Sequence, residues 1–138
     1  MTYLPMPLKK GGITAMVLAM NSILLVDDDP VMLDTLKDVL ESPELVIKTA
    51  TKIADALTLL GQETIPLLVT DHGLPDGTGL DLAQQAKAKN PQLKVILMTG
   101  NAELAGNSAT WAANVDHYLI KPVDPDHLQK LIQQLLPK

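Results

Sequence analysis

Four groups of residues, far apart along the chain, could do chemistry together. Asp27, Asp28 and Asp29 follow the apolar run Ile23 to Val26, Asp71 follows Leu67 to Thr70, Thr99 follows Val95 to Met98, and Lys121 follows Tyr118 to Ile120. Taken singly, each has an ordinary reading as a helix-capping acidic loop, a turn, a strand-ending hydroxyl or an exposed lysine. Brought together they would behave differently. Carboxylates held about 5 Å apart repel by about 3 kcal/mol per pair at an effective dielectric of about 20, so a fold that gathers Asp27, Asp28 and Asp71 needs positive charge beside them. Lys121 supplies one charge, and a donor set made of oxygen alone selects a hard divalent ion, Mg²⁺ with several waters retained. Three negative charges, one lysine and Mg²⁺ sum to zero. A site balanced in this way can admit a phosphoryl group, with the cation and the lysine offsetting its oxygens while a carboxylate attacks phosphorus in line.

The elements between these groups predict how they meet. From Ser22 onward, short apolar runs alternate with amphipathic stretches of about ten residues. Asp29 and Pro30 read as an N-cap followed by a proline at the first helical position, and Met32, Leu36, Val39 and Leu40 are expected on one helical face. Leu45 to Thr49 predicts a second strand. Ile53, Ala56, Leu57 and Leu60 predict a second helix, with Gly61 placed to end it. After the third strand, Gly73, Pro75, Gly77 and Gly79 punctuate a loop, and Thr78 with Asp81 forms a capping box for a helix running to about Asn90, before Pro91. A helix is expected near Glu103 to Ala113. Asp124 and Pro125 cap a last one, marked by Leu128, Leu131, Ile132 and Leu135. The strands are continuous apolar runs without period-two alternation, so both faces are expected to be covered. The fold class is therefore α/β, a doubly wound five-stranded parallel sheet with helices on both faces. Right-handed crossovers bring every polar strand end to one edge, where Asp27, Asp28, Asp71, Thr99 and Lys121 converge.

Composition narrows the function classes. The chain has 138 residues, 46% hydrophobic and 20% charged, which suits one folded domain and excludes a disordered chain. It has no cysteine, so thiolate catalysis and Cys-ligated metals are excluded. Eleven basic residues, all lysine, face sixteen acids for a net charge of −5, which argues against direct nucleic-acid binding. Lys9 and Lys10 before the apolar run Ile13 to Met20 mimic the start of a signal peptide, but the run falls short of the roughly 18 residues a membrane span needs. Residues 1–20 are read as a flexible or expression-derived extension, 21–138 as the folded domain, and the compartment as the cytoplasm, with no membrane partner.

The residues already quoted carry a family resemblance over about 21–136. The stretches Ile23-Leu-Leu-Val-Asp-Asp-Asp-Pro30, Leu68-Val-Thr-Asp71 with Leu74-Pro75 and Gly79, Val95-Ile-Leu-Met-Thr-Gly100, and Tyr118-Leu-Ile-Lys-Pro122 appear in order, each at a predicted strand end. The chain resembles the receiver domain of two-component response regulators, which has a flavodoxin-like fold. The resemblance implies that Asp71 accepts the phosphoryl group, Asp28 binds Mg²⁺ directly, Asp27 assists through water and the backbone carbonyl of Gly73 completes the protein ligands, with Mn²⁺ as a substitute ion. It implies that Thr99 contacts a phosphoryl oxygen, Lys121 pairs with the acyl phosphate, Tyr118 is the switch aromatic, and Pro122 follows a cis peptide that fixes the lysine's loop. The implied donor is a sensor histidine kinase or histidine phosphotransfer protein. The implied output is a downstream protein, or a homodimer, docked on the fourth helix, fifth strand and fifth helix. Such a domain is a phosphoryl acceptor with at most slow self-dephosphorylation, not a turnover enzyme. Gly73 and Asn101 stand where the family tunes hydrolysis. A single-domain regulator is expected, with a receiver cut from a larger hybrid kinase or regulator as the alternative.

Two other readings compete. Asp27-x-Asp29-x-Val31 also resembles the haloacid-dehalogenase phosphatase signature, with Asp27 as nucleophile, Asp29 as general acid, and Thr99 and Lys121 as later motifs. That reading lacks the family's last acidic motif and leaves Asp71 unused, whereas Asp29 reads as a helix cap alone. A degenerate receiver acting only as a binding module is the third. His72 follows Asp71, but adjacent side chains at a strand end point to opposite sides, so it is assigned no role. His117 and His127 lack partners at ligand spacing. Trp111 reads as a packing or partner contact.

Overall fold

The computed structural model describes residues 21–101 and 114–137. Five strands form one parallel sheet, numbered here in chain order with a small hairpin between: β1 (Asn21–Val26), β2 (Leu45–Ala50), β3 (Leu67–Asp71), β4 (Gly73–Leu74), β5 (Gly77–Thr78), β6 (Lys94–Thr99) and β7 (His117–Ile120). The described helices are α1 (Pro30–Leu40), α2 (Ile53–Gln62), α3 (Gly79–Lys89) and α4 (Pro125–Leu135). The sheet order is β2-β1-β3-β6-β7, all neighbours parallel, and β4 pairs with β5 as a separate antiparallel hairpin. The order starts in the middle at β1 and β3 and grows outward both ways, which is the doubly wound arrangement expected from the sequence.

The apolar runs explain the two layers. Successive strand residues face opposite sides, so a run with no polar interruption must be covered twice. Leu24, Val26, Leu68, Val95 and Leu97 pack with Ile53 and Ala56 of α2 and Leu82, Ala83 and Ala86 of α3. Their neighbours Ile23, Leu25, Leu67, Val69, Ile96 and Met98 pack on the other face with Leu33, Leu36 and Leu40 of α1 and Leu128, Leu131 and Ile132 of α4. Each fully buried Leu or Ile contributes about 1.5–3 kcal/mol relative to exposure, so burial on both faces holds the sheet between its helical layers.

Local chemistry sets the helix starts. Asp29 Oδ1 accepts from the amides of Val31 and Met32, Asp124 accepts from Asp126, and Thr78 and Asp81 close the expected capping box. Two details differ from the sequence reading. In α1 the buried stripe is Leu33, Leu36 and Leu40, whereas Val39 is exposed, because Met32 and Val39 lie to one side of that stripe. Gly61 does not end α2, which continues to Gln62; Gly77 is the described glycine with positive φ, and Gly61 keeps helical backbone. The loop after β3 contains the β4–β5 hairpin. The helix expected near Glu103 to Ala113, with Trp111, lies outside the described residues, as do 1–20.

Asp116 fastens the start of β7 at the edge opposite the aspartates. Its amide donates to the Val95 carbonyl, and its Oδ2 accepts from the Val95 amide (2.8 Å) and from Lys87 Nζ (2.9 Å). Burial works to raise its pKa, but the Lys87 and Val95 hydrogen bonds and the charges of Lys87 and Lys94 outweigh it and hold the carboxyl below the usual carboxylate range. A depressed carboxylate pKa contributes stability that is present above the unfolded value of about 3.9 and is lost as pH falls through the folded value. Asp116→Ala is expected to cost about 2 kcal/mol in urea unfolding at pH 7, and the gap from wild type should close below about pH 4.

Candidate functional site

The four strand ends that carry the predicted residues, those of β1, β3, β6 and β7, lie on one edge, because parallel pairing aligns their carboxyl termini. Val26 pairs with Thr70, Asp71 with Met98, and Thr99 with Ile120, so Asp27, Asp71, Thr99 and Lys121 occupy adjacent strand tips. One carboxylate oxygen from each of Asp27, Asp28 and Asp71 falls within a set whose members all lie within 4.8 Å of one another. Asp27 is 1% exposed and Asp71 9%, while Asp28 faces solvent. Two acids are therefore buried next to each other, and the third is open to an incoming group.

Lys121 is the counter-charge. Its Nζ lies 3.0 Å from Asp71 Oδ1 and donates to Asp27 Oδ2 at 3.3 Å. Partial burial favours loss of its proton, but the hydrogen bond to Asp71 and the charges of Asp27 and Asp71 prevail and push the ammonium above the ordinary lysine value. It therefore stays charged across the physiological range. The Lys121 amide donates to the Thr99 carbonyl (2.8 Å), and the Lys121–Pro122 peptide is cis, as the resemblance implied. Asp27 Oδ1 accepts from the Asp29 amide at 3.0 Å, which leaves the Asp29 side chain to its helix. Asp29 Oδ1 is engaged by two helix amides, as expected of a helix cap.

The remaining predicted residues have distinct places. Thr99 is buried, and its Oγ1 accepts from the Asn101 amide at 3.0 Å. Gly73 opens the hairpin two residues past Asp71, is exposed, and has nothing within 4 Å of where a Cβ would stand. Tyr118 is 44% exposed on β7, the outer strand, and Ile120 beside it is 42% exposed. His72 uses its backbone: its amide donates to the Met98 carbonyl and its carbonyl accepts from the Gly79 amide. His117 and His127 are exposed.

The donor set fits a hard divalent cation. Three carboxylates and one ammonium leave two negative charges, which a divalent ion cancels, and among the described residues no His joins the cluster. Nothing in the arrangement favours Mn²⁺ over Mg²⁺.

Two residues that sequence reasoning left unassigned shape this edge. Thr70, fully buried, donates its hydroxyl to the Asp71 carbonyl at 3.0 Å. Gly79 starts α3 against the same carbonyl, and a Cβ there would overlap that oxygen and stand 2.9 Å from Leu97 Cδ1. Gly79 was legible as loop punctuation and as part of the family motif, but the closeness that requires glycine appears only once β3 and α3 are packed.

The family model described as the response regulator receiver domain matches residues 23–133. The chain belongs to that family. As a receiver domain it is a signalling module and not an enzyme of the usual kind. It is 36% identical over 119 residues to an uncharacterized 14.6 kDa protein of Leptolyngbya boryana, covering 85% of this chain and 91% of that one. It is 34% identical over 113 residues to the response regulator protein PilR of Pseudomonas aeruginosa, covering 82% of this chain but 25% of PilR. Among solved structures, the response regulator protein TrrA of Thermotoga maritima in complex with Mg²⁺-BeF shares 30% identity and a TM-score of 0.75, covering 85% of this chain and all of that one.

Proposed function

We propose that this receiver domain takes a phosphoryl group from a phosphohistidine of a sensor histidine kinase or phosphotransfer protein onto Asp71. The observation that carries the reading is the Lys121 ammonium set between the two buried carboxylates, 3.0 Å from Asp71 and 3.3 Å from Asp27, with Asp28 at the open side. An Asp71 oxygen attacks phosphorus, the phosphorus–nitrogen bond of the donor breaks, and its electron pair returns to the imidazole. Asp28 and Asp71 with the Gly73 carbonyl would hold Mg²⁺, and Asp27 would assist through water. When bound, Mg²⁺ supplies positive charge to the transferring oxygens. Lys121 pairs with the acyl phosphate, and Thr99 donates its hydroxyl to a phosphoryl oxygen. Water later cleaves the acyl phosphate, returning the Asp71 carboxylate and inorganic phosphate.

The output in this reading is a partner protein or a second copy, docked on the face that includes β7 and α4, with Tyr118 as the switch side chain. No described helix is long and apolar enough to cross a membrane, and a cytoplasmic setting suits the proposed donor. Acetyl phosphate tests the acceptor step without a kinase. Intact-mass spectrometry is expected to find one added phosphoryl group with Mg²⁺ and none with chelator; equal labelling in both overturns the proposal.

Mg²⁺ alone should stabilise the fold, because the unfolded chain has no assembled carboxylate cluster. At a hundredfold excess over its Kd the gain is about 2.7 kcal/mol, read as a rise in melting temperature. Asp28→Ala should remove most of that rise and leave the metal-free melting temperature little changed, since Asp28 is exposed.

A further inference from the structure

Helix α2 is capped from a distance. Its N-cap residue, Lys52, offers no side-chain cap, and the first two amides instead donate to a residue 23 and 22 positions later: Ile53 to Asp76 Oδ1 at 2.8 Å and Ala54 to Asp76 Oδ2 at 3.1 Å. Asp76 belongs to the turn between β4 and β5, five residues past the acceptor Asp71. The Ile53 amide foremost holds the Asp76 carboxyl below the usual carboxylate range, so both oxygens remain acceptors. An apolar contact reinforces the tie. The Ile53 side chain is buried, a Cβ on Gly77 would stand 2.8 Å from its Cδ1, and Leu74 packs against the same core.

The hairpin thus has one end joined to β3 and its turn bound to the start of α2. Gly73, at the joined end, is exposed and has no side chain of its own to hold it. We propose that Asp76 is a positioning residue for the acceptor site: by pinning the hairpin turn on α2 it fixes the Gly73 backbone where its carbonyl can serve the cation. This rests on the reading that Asp28, Asp71 and Gly73 hold Mg²⁺. Carboxylates that orient a ligand without touching the metal commonly govern affinity by tenfold or more when removed.

A helix cap and a positioning tie can be separated, because a local cap can be restored without the tie. The test compares wild type, Asp76→Ala, and Asp76→Ala with Lys52→Ser, which gives α2 an N-cap hydroxyl of its own. Mg²⁺ affinity is measured by calorimetry, melting temperature in chelator, and amide exchange at Gly73 to Thr78 by mass spectrometry. Asp76→Ala is expected to weaken Mg²⁺ binding about tenfold, lower the melting temperature and speed hairpin exchange. The double variant should recover the melting temperature while Mg²⁺ binding stays weak and the hairpin exchanges fast. Recovery of all three by Lys52→Ser, or wild-type Mg²⁺ affinity in Asp76→Ala, overturns the positioning role and leaves the acceptor reading standing. A wild-type protein that binds no Mg²⁺ overturns the acceptor reading and the positioning role together.

Discussion

Asp71→Asn should take up no phosphoryl group from acetyl phosphate under conditions in which wild type gains one. The substitution keeps the size of the side chain but replaces the attacking carboxylate with a carboxamide, which has no anionic oxygen to form the acyl phosphate. Asp27 and Asp28 remain in the variant and lie within 4.8 Å of the lost acceptor. The experiment therefore asks whether proximity to the cluster suffices or whether one carboxylate is set apart. Asp71 is set apart by its pairing: Lys121 Nζ lies 3.0 Å from its Oδ1, whereas Asp27 is held by Lys121 on one oxygen and by the Asp29 amide on the other. Intact-mass spectra with peptide mapping check the outcome. A phosphoryl group on Asp27 in the variant, or on Asp27 in wild type, would move the nucleophile to the aspartate that the phosphatase reading used.

The site was legible because its residues sit at the ends of unbroken apolar runs. Ile23 to Val26, Leu67 to Thr70 and Val95 to Met98 can only be strands covered on both faces, and parallel pairing then forces Asp27, Asp71 and Thr99 to one edge. Strand boundaries were short by one or two residues, since Asn21, Ser22 and Lys94 pair in the sheet through their backbones and carry no apolar signal. What stayed hidden depends on contacts between distant segments. The Asp76 cap joins residues more than twenty apart, and the Asp116 anchor needs Lys87 and Val95 beside it. In the sequence both are single aspartates near a turn. Gly61 shows the reverse error: a glycine after a leucine-rich helix looks like a stop, yet α2 continues through it because no left-handed residue is required there.

Gly79→Ala should be among the most damaging single-methyl changes in this receiver domain. The added Cβ would overlap the Asp71 carbonyl oxygen, stand 3.1 Å from the Asp71 carbonyl carbon and 2.9 Å from Leu97 Cδ1. Leu97 could turn aside, but the carbonyl is backbone and is held on every side. Thr70 Oγ1 donates to that oxygen at 3.0 Å, the next amide, of His72, donates to Met98 at 2.8 Å, and the His72 carbonyl accepts from Gly79 itself at 2.7 Å. Relief requires moving either the start of α3, with its Thr78–Asp81 capping box, or the tip of β3 that carries the acceptor. Overpacking of this kind costs about 3 kcal/mol, which for a domain of this size lowers the melting temperature by roughly 10 °C. Gly61→Ala is the internal control, because it lies inside α2 with nothing within 4 Å of its Cβ position and should gain about 0.5–1 kcal/mol from helix propensity. If the structure relaxes by shifting β3 in place of α3, the surviving folded Gly79→Ala protein should also label more slowly with acetyl phosphate. An unchanged labelling rate with a lowered melting temperature would assign the strain to the helix alone.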